Sequence, residues 1–134
     1  MHMAVSENAL PLSIEVSEGT SADCKHALSL IEDLAPQVLI ADRAYDTNEI
    51  REYAMGNGLT VVIPSKRNRK KQCDYDKELY KVRHIVENVF LQLKRWRGIA
   101  TRYAKLGESF ATAVKVRCIS LWAIFRSKSY VDTV

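Results

Sequence analysis

One short apolar run constrains the fold of this chain more than any other feature of its sequence. The run Val38-Leu39-Ile40-Ala41 follows Pro36, contains no polar side chain and leads directly into Asp42. A strand with one face in water alternates polar and apolar residues, whereas an unbroken apolar run of this length is typical of a strand buried on both faces. We therefore predict a buried strand at 38–41 in an α/β sheet that is flanked by helices.

The segments around this run have the patterns of short strands and amphipathic helices. Further strands are predicted at 2–5, 11–16 and 60–63, and helices at about 22–34, 48–55, 76–96 and 109–126. An antiparallel hairpin followed by alternating helices and strands predicts one mixed sheet with helices packed on it. We expect a single domain over 1–134, with the sheet in about 1–64 and the C-terminal helices in about 76–126.

Charge is distributed unevenly along the chain. Basic residues cluster at 66–71 and again at 94–105, and acidic residues concentrate in the first half, although the net charge is only +4. This distribution favours a polyanionic partner, with a solubilising loop as the alternative. No apolar run approaches the ~20 residues that span a membrane. Three cysteines without C-x-x-C spacing argue against a disulfide framework and a zinc site, and for the cytoplasm.

The predicted helix over 76–96 carries the most informative spacing. Tyr80, Arg83, Glu87 and Lys94 are separated by three, four and seven residues. On one continuous helix their side chains would lie within about 60° of one another. One interpretation is that Glu87 points into a site, with Arg83 holding it and facing phosphate. The alternative, which spacing alone favours, is a solvated face with an Arg83–Glu87 ion pair.

Asp42 follows the buried strand, at the sheet edge where open α/β sheets bind ligands. The alternative is a helix cap or turn residue, and position alone does not decide between the two. Taken together, Asp42 and Glu87 are hard oxygen ligands that suit Mg²⁺ or Mn²⁺. Pairs of such ions, about 4 Å apart, serve phosphodiester chemistry. Two carboxylates are too few to hold two ions, so we expect a third from elsewhere.

These residues lie in motifs that resemble those of a known family. The Y-x2-R-x3-E-x6-K pattern from Tyr80 to Lys94 resembles the C-terminal signature of bacterial insertion-sequence transposases of the DDE class. The segment at 39–46 resembles the second-aspartate motif of that family, and the segments at 63–69 and 97–103 resemble its flanking stretches. The resemblance covers nearly the whole chain, with the motifs in the family's order.

The resemblance implies an RNase H-like fold, Mg²⁺-dependent cleavage at transposon ends, and strand transfer by direct transesterification. It implies that Asp42 and Glu87 are the second and third catalytic carboxylates, and that both bind the metal. The predicted DNA-binding residues combine the family motif with the basic loop: Tyr80, Arg83, Lys94, Lys66, Arg67 and Arg69.

The chain departs from the family pattern at its start. The family's first aspartate lies on a strand upstream of the predicted hairpin, and no residue from 1 to 5 can substitute for it. We therefore expect a truncated domain that lacks the first strand, is inactive by itself, and is marginally stable because an apolar sheet edge is unpaired.

The expected partners are DNA at transposon ends and target sites, a second copy of the chain in the DNA complex, and an upstream polypeptide that supplies the missing part. The alternatives are a non-catalytic remnant that binds DNA, or a basic nucleic-acid-binding module outside the family.

Overall fold

Short strands alternate with helices in the computed structural model, which describes residues 1–16, 24–96 and 107–131. The elements are β1 (His2–Val5), β2 (Pro11–Glu15), α1 (Cys24–Ile31), β3 (Val38–Ile40), a 3-10 turn (Arg43–Tyr45), α2 (Asn48–Gly56), β4 (Thr60–Val62), α3 (Lys77–Lys81), α4 (His84–Lys94) and α5 (Gly107–Val131). The α/β class is confirmed, and most bounds agree with the sequence patterns to within a few residues. The motif segment at 97–103 lies outside the described residues.

The strands form two separate two-stranded sheets, so the prediction of a single mixed sheet is wrong for the described residues. β1 pairs antiparallel with β2, and β3 pairs parallel with β4. A strand is present at Val38–Ile40, but the prediction that 38–41 is buried on both faces is wrong, because Val38 is 41% exposed and Leu39, Ile40 and Ala41 are only partly buried. In the described structure β3 pairs only with β4, so no second strand covers its other edge, and this end of the strand remains in contact with water.

Two apolar clusters hold the elements together. The first joins β1, α4 and α5 through Met3, Val89, Leu93, Phe110, Val114 and Cys118. The second joins α1, α2 and the end of β4 through Ala27, Ile50 and Ile63. Because α4 is anchored through Val89 and Leu93, which are fully buried, its opposite face is free to carry polar side chains.

The predicted helix over 76–96 is broken into α3 and α4. At the junction the Ile85 N–H donates to the Val82 carbonyl at 3.0 Å, three residues back instead of four, which tightens the chain into a 3-10 turn. The Lys81 carbonyl accepts instead from Nδ1 of His84 at 2.6 Å. The continuous helix is therefore wrong at this turn. On a continuous helix the spacing of Val82 from Val86, Val89 and Leu93 predicts that it faces the core, but Val82 is 37% exposed.

The last helix, α5, is longer than the predicted 109–126. The helical spacing of Phe110, Val114, Cys118 and Phe125 predicts a single apolar face; the first three are buried, but Phe125 is 41% exposed. Leu121 packs against the first apolar cluster and the Trp122 indole N–H donates to the Pro11 carbonyl at 2.8 Å, so these contacts of α5 reach Trp122 and Phe125 lies beyond them. No helix in the described parts of the chain is long and apolar enough to cross a membrane.

Local signals set the ends of α2. The Oγ1 atom of Thr47 accepts from the Ile50 N–H at 3.3 Å and caps the first turn. Gly58 follows the helix with φ of +68°, a left-handed conformation that glycine adopts without steric cost. Asp46 and Thr47 precede α2, and both are residue types that can cap a helix. Since Thr47 is the cap, the Asp46 carboxylate is available for other contacts.

Candidate functional site

An open cleft lies where β3 and β4 end and α3 begins to turn into α4. The residues that line the cleft are Asp42, Arg43, Ala44, Pro64, Tyr80 and Arg83. The structure thus brings together three of the predicted site residues, Asp42, Tyr80 and Arg83, from two motifs that are far apart in sequence. Their convergence makes this cleft the candidate site.

The two carboxylate oxygens of Asp42 differ in their hydrogen bonding. Its Oδ1 atom accepts from the Ala44 N–H at 2.7 Å and caps the 3-10 turn. The alternative interpretation of Asp42 as a cap is therefore confirmed. The side chain is nevertheless exposed, and no described residue bonds to its second oxygen. That oxygen is available to a ligand in the cleft.

Arg83 connects the cleft to Glu87. The Nη2 atom of Arg83 lies 2.8 Å from Oε1 of Glu87, so the predicted ion pair one turn apart is confirmed. The Arg83 guanidinium carbon lies 5.6 Å from the centre of the Tyr80 ring, within cation–π range. Glu87 itself is half exposed and does not line the cleft. Glu87 is therefore connected to the cleft that contains Asp42 through Arg83. Lys94 lies on the exposed end of α4.

The described residues contain no group of three or more histidine, cysteine, aspartate or glutamate side chains that could hold a metal ion. Asp42 and Glu87 contribute one carboxylate each at this edge of the molecule, and no third acid joins them in the part of the chain that the structure describes. This donor set does not by itself fit a centre of two metal ions. No reaction step is therefore assigned to a metal ion on this chain.

Asp46, four residues after Asp42, is a buried anion. Its Oδ1 atom accepts from Nε of Arg51 at 2.7 Å. Its Oδ2 atom accepts from the Lys66 N–H at 2.7 Å and from Nε of Arg69 at 2.9 Å. Burial alone would raise the pKa of Asp46, but these hydrogen bonds outweigh it and hold the pKa below its ordinary value. The network ties the basic loop to the turn that carries Asp42.

The network divides the basic loop into engaged and available cations. Arg69 also donates from Nη1 to Oδ1 of Asn48 at 2.9 Å, and its side chain is only 20% exposed. Lys66 and Arg67, by contrast, have no carboxylate partner among the residues that the structure describes. Arg69 and Asp46 are 23 residues apart, so no pattern of neighbouring residues in the sequence predicts that they form an ion pair.

The structure also joins two histidines that looked scattered in the sequence. The rings of His2 and His26 stack with their centres 4.6 Å apart. Nδ1 of His26 bonds to Glu15, and Oγ of Ser29 donates to the same carboxylate at 2.7 Å. The Ser29 hydrogen bond, together with His26, lowers the pKa of Glu15. These side chains fasten the β1–β2 hairpin to α1, a structural role that residue spacing does not reveal.

Comparisons with known proteins match most of the chain. Residues 1–122 match the family model described as "Transposase DDE domain". The chain is 36% identical over 124 residues to a protein from Brucella ovis described as "Putative transposase for insertion sequence element IS6501". That alignment covers 91% of this chain and 95% of the relative. No solved structure gives a significant match.

Proposed function

The chain belongs to the transposase DDE domain family, and from that premise we propose that it carries the second and third catalytic carboxylates of an insertion-sequence transposase, Asp42 and Glu87. The reaction is DNA strand cleavage at the transposon ends, followed by strand transfer into target DNA. The observation that carries the proposal is the cleft in which Asp42 meets Arg83, the residue bonded to Glu87. Two family motifs converge there although no single segment of sequence contains both.

Some residues in and around the cleft orient the catalytic carboxylate, and others bind DNA. Arg83 holds the Glu87 carboxylate through one guanidinium nitrogen, and the Tyr80 ring supports the guanidinium from its face. The exposed cations Lys94 and Arg67, together with the partly exposed Lys66, neutralise DNA phosphates along the surface. Arg69 contributes chiefly by fixing the loop, since it is bonded to Asp46 and Asn48.

The complete site takes Mg²⁺ or Mn²⁺, because carboxylate oxygens are the ligands that these hard ions prefer. Asp42 and Glu87 supply two ligands, and a third carboxylate must join them from outside the described residues. We infer that a further polypeptide, encoded upstream, supplies this acid on a strand. The two separate sheets support this inference, since each has an edge with no partner strand in the described structure.

The molecule acts as one RNase H-like domain over 1–134 that is inactive until a third carboxylate joins Asp42 and Glu87. It works in the cytoplasm, where the element's DNA lies, and as a homodimer in the DNA complex so that both transposon ends are processed together.

The test is a cleavage and strand-transfer assay on a duplex that carries the element's own ends, in Mg²⁺. We expect no product from the chain alone and product once the upstream polypeptide is added. Glu87→Gln abolishes that product, whereas Glu78→Gln, an exposed glutamate of α3 paired with Lys81, is the matched control and retains it.

Each outcome of the assay has a distinct meaning. Product from the chain alone would reject the need for a further polypeptide but would support the transposase function. DNA binding without product in any mixture would leave a non-catalytic DNA-binding remnant. A bulk electrostatic binder outside the family is not favoured, because the family match spans 1–122. Such a binder would also bind DNA equally well before and after Glu87→Gln, with or without Mg²⁺.

A further inference from the structure

Arg43 lines the cleft directly after Asp42, and its side chain is exposed. Three other guanidinium groups near the cleft are engaged by carboxylates: Arg51 and Arg69 by Asp46, and Arg83 by Glu87. No described residue forms an ion pair with Arg43. Of these four arginines, Arg43 is therefore the one whose guanidinium is available to a ligand.

The backbone of Arg43 is held in place by its neighbours on both sides. The Asp46 N–H donates to the Arg43 carbonyl at 3.2 Å. The Asp42 carboxylate holds the Ala44 N–H at 2.7 Å. Asp46 is in turn fixed by three donors from α2 and the basic loop. Because the backbone is fixed before any ligand binds, only the side-chain rotamers of Arg43 remain to be ordered on binding.

The chemistry of the cleft around Arg43 suits a phosphodiester. A guanidinium is planar, always charged, and able to donate two parallel hydrogen bonds to phosphate oxygens. The cleft is open, so a long polyanion can pass along it. At the Pro64 wall the chain continues into the basic loop, where Lys66 and Arg67 extend the positive surface.

We propose that Arg43 binds a backbone phosphate of the DNA strand that occupies the cleft, next to the phosphodiester at Asp42. Arg83, by contrast, serves mainly to orient Glu87. This inference rests on the proposed function, because it assumes that DNA occupies this cleft. It adds a positioning contact that lies outside the Y-x2-R-x3-E-x6-K pattern.

The experiment measures binding of the full chain to a short labelled duplex by fluorescence anisotropy, in EDTA and over a series of salt concentrations. Arg43→Ala should weaken binding about tenfold at low salt and reduce the slope of log K against log salt by about 1, the loss of one phosphate contact. The affinity of Arg43→Lys should lie between those of the unsubstituted chain and Arg43→Ala, since lysine keeps the charge and lacks the planar guanidinium.

The matched control is Arg126→Ala, which removes the same charge from an exposed position on α5. It should leave the slope unchanged. Thermal unfolding of both variants should match the unsubstituted chain, because the Arg43 side chain is exposed.

Equal affinities and slopes for Arg43→Ala and Arg126→Ala would overturn the proposal, as would a native chain that does not bind the duplex. The assay contains no divalent ion and measures no cleavage. A negative result for Arg43 therefore leaves the proposed catalytic function standing, and an inactive chain in the cleavage assay leaves the role of Arg43 measurable.

Discussion

Two aspartates four residues apart, Asp42 and Asp46, illustrate how partners decide what a carboxylate does. Asp42 is exposed and receives one backbone hydrogen bond. The Asp46 side chain is fully buried and receives three, two of them from arginines. A buried carboxylate is tolerated only when its oxygens are satisfied in this way. Asp46 is therefore a structural anion, and Asp42 is the one free to meet a ligand.

Asp46→Asn should lower the free energy of unfolding by about 2–4 kcal/mol, because it leaves Arg51 and Arg69 without an anion in a largely buried setting. Urea unfolding measures the change. Glu78→Gln breaks an exposed ion pair with Lys81 and should cost no more than about 0.5 kcal/mol. Equal costs for the two variants would show that the Asp46 network does not stabilise the fold.

The same network predicts how stability depends on pH. The pKa of Asp46 is lower in the folded chain than its ordinary value of 3.8, so the unfolded chain binds the proton more tightly. The stabilisation is therefore complete above the unfolded pKa and is lost as the pH falls through the folded pKa. Glu15, whose pKa is lowered mainly by Ser29, acts in the same direction from its ordinary value of 4.5.

The urea midpoint of unfolding, measured from neutral to strongly acid pH, should decrease once the pH is below about 4. Asp46→Asn should make this decrease at acid pH smaller, since it removes the titrating group. An unchanged decrease in the variant would assign the acid sensitivity to other carboxylates.

Among the secondary-structure elements, α4 connects the core with the candidate site. Val89 and Leu93 are fully buried against β1 and α5, while Glu87 lies on the outer face. The 3-10 turn before α4 sets where Arg83 enters the cleft, because it changes the rotation per residue between α3 and α4. The position of Glu87 therefore depends on apolar packing on the far side of its own helix.

Leu93→Ala should lower the free energy of unfolding by about 2–5 kcal/mol, because it leaves a cavity in a fully packed cluster. Leu91→Ala, on the same helix, is the matched control: its side chain is 59% exposed, and the change should cost less than about 1 kcal/mol. Urea titrations of both variants give the comparison. Similar costs would mean that α4 packs through a different face.

The whole molecule is held together across its two sheets by side chains and helix packing. Nδ1 of His2 lies 3.4 Å from the Tyr45 hydroxyl, which links β1 to the turn after β3. α1 packs on β1 and β2 and also contacts α2. In the described structure no backbone ladder joins the sheets, and small two-stranded sheets are marginal by themselves.

The chain alone should therefore unfold at low urea and scatter light on concentration, since unpaired strand edges favour association. Addition of a polypeptide that supplies a pairing strand should move the urea midpoint upward. The control is the same polypeptide with proline in its strand, which cannot complete the ladder. A stable monomer that unfolds cooperatively, with a urea midpoint that the added strand does not change, would contradict this description of the fold.

Much of the architecture could be predicted because its signals are local. The β1–β2 hairpin and the cap and end of α2 follow from short-range patterns of apolar, turn and capping residues. The ion pair of Arg83 and Glu87 could also be predicted, because four residues on one helix place the two side chains together whatever surrounds them. The family motifs were visible for the same reason.

The sequence by itself determined which residues form strands and helices, and which side chains belong to the family motifs. Tertiary structure alone decided that Asp46 is bonded to Arg51, Arg69 and the basic loop, and that the long helix breaks before α4. It also decided that Arg43 has no carboxylate partner among the residues that the structure describes. These outcomes depend on contacts between segments that are distant in the chain. Burial and pairing between such segments have no fixed spacing, so no pattern of neighbouring residues records them.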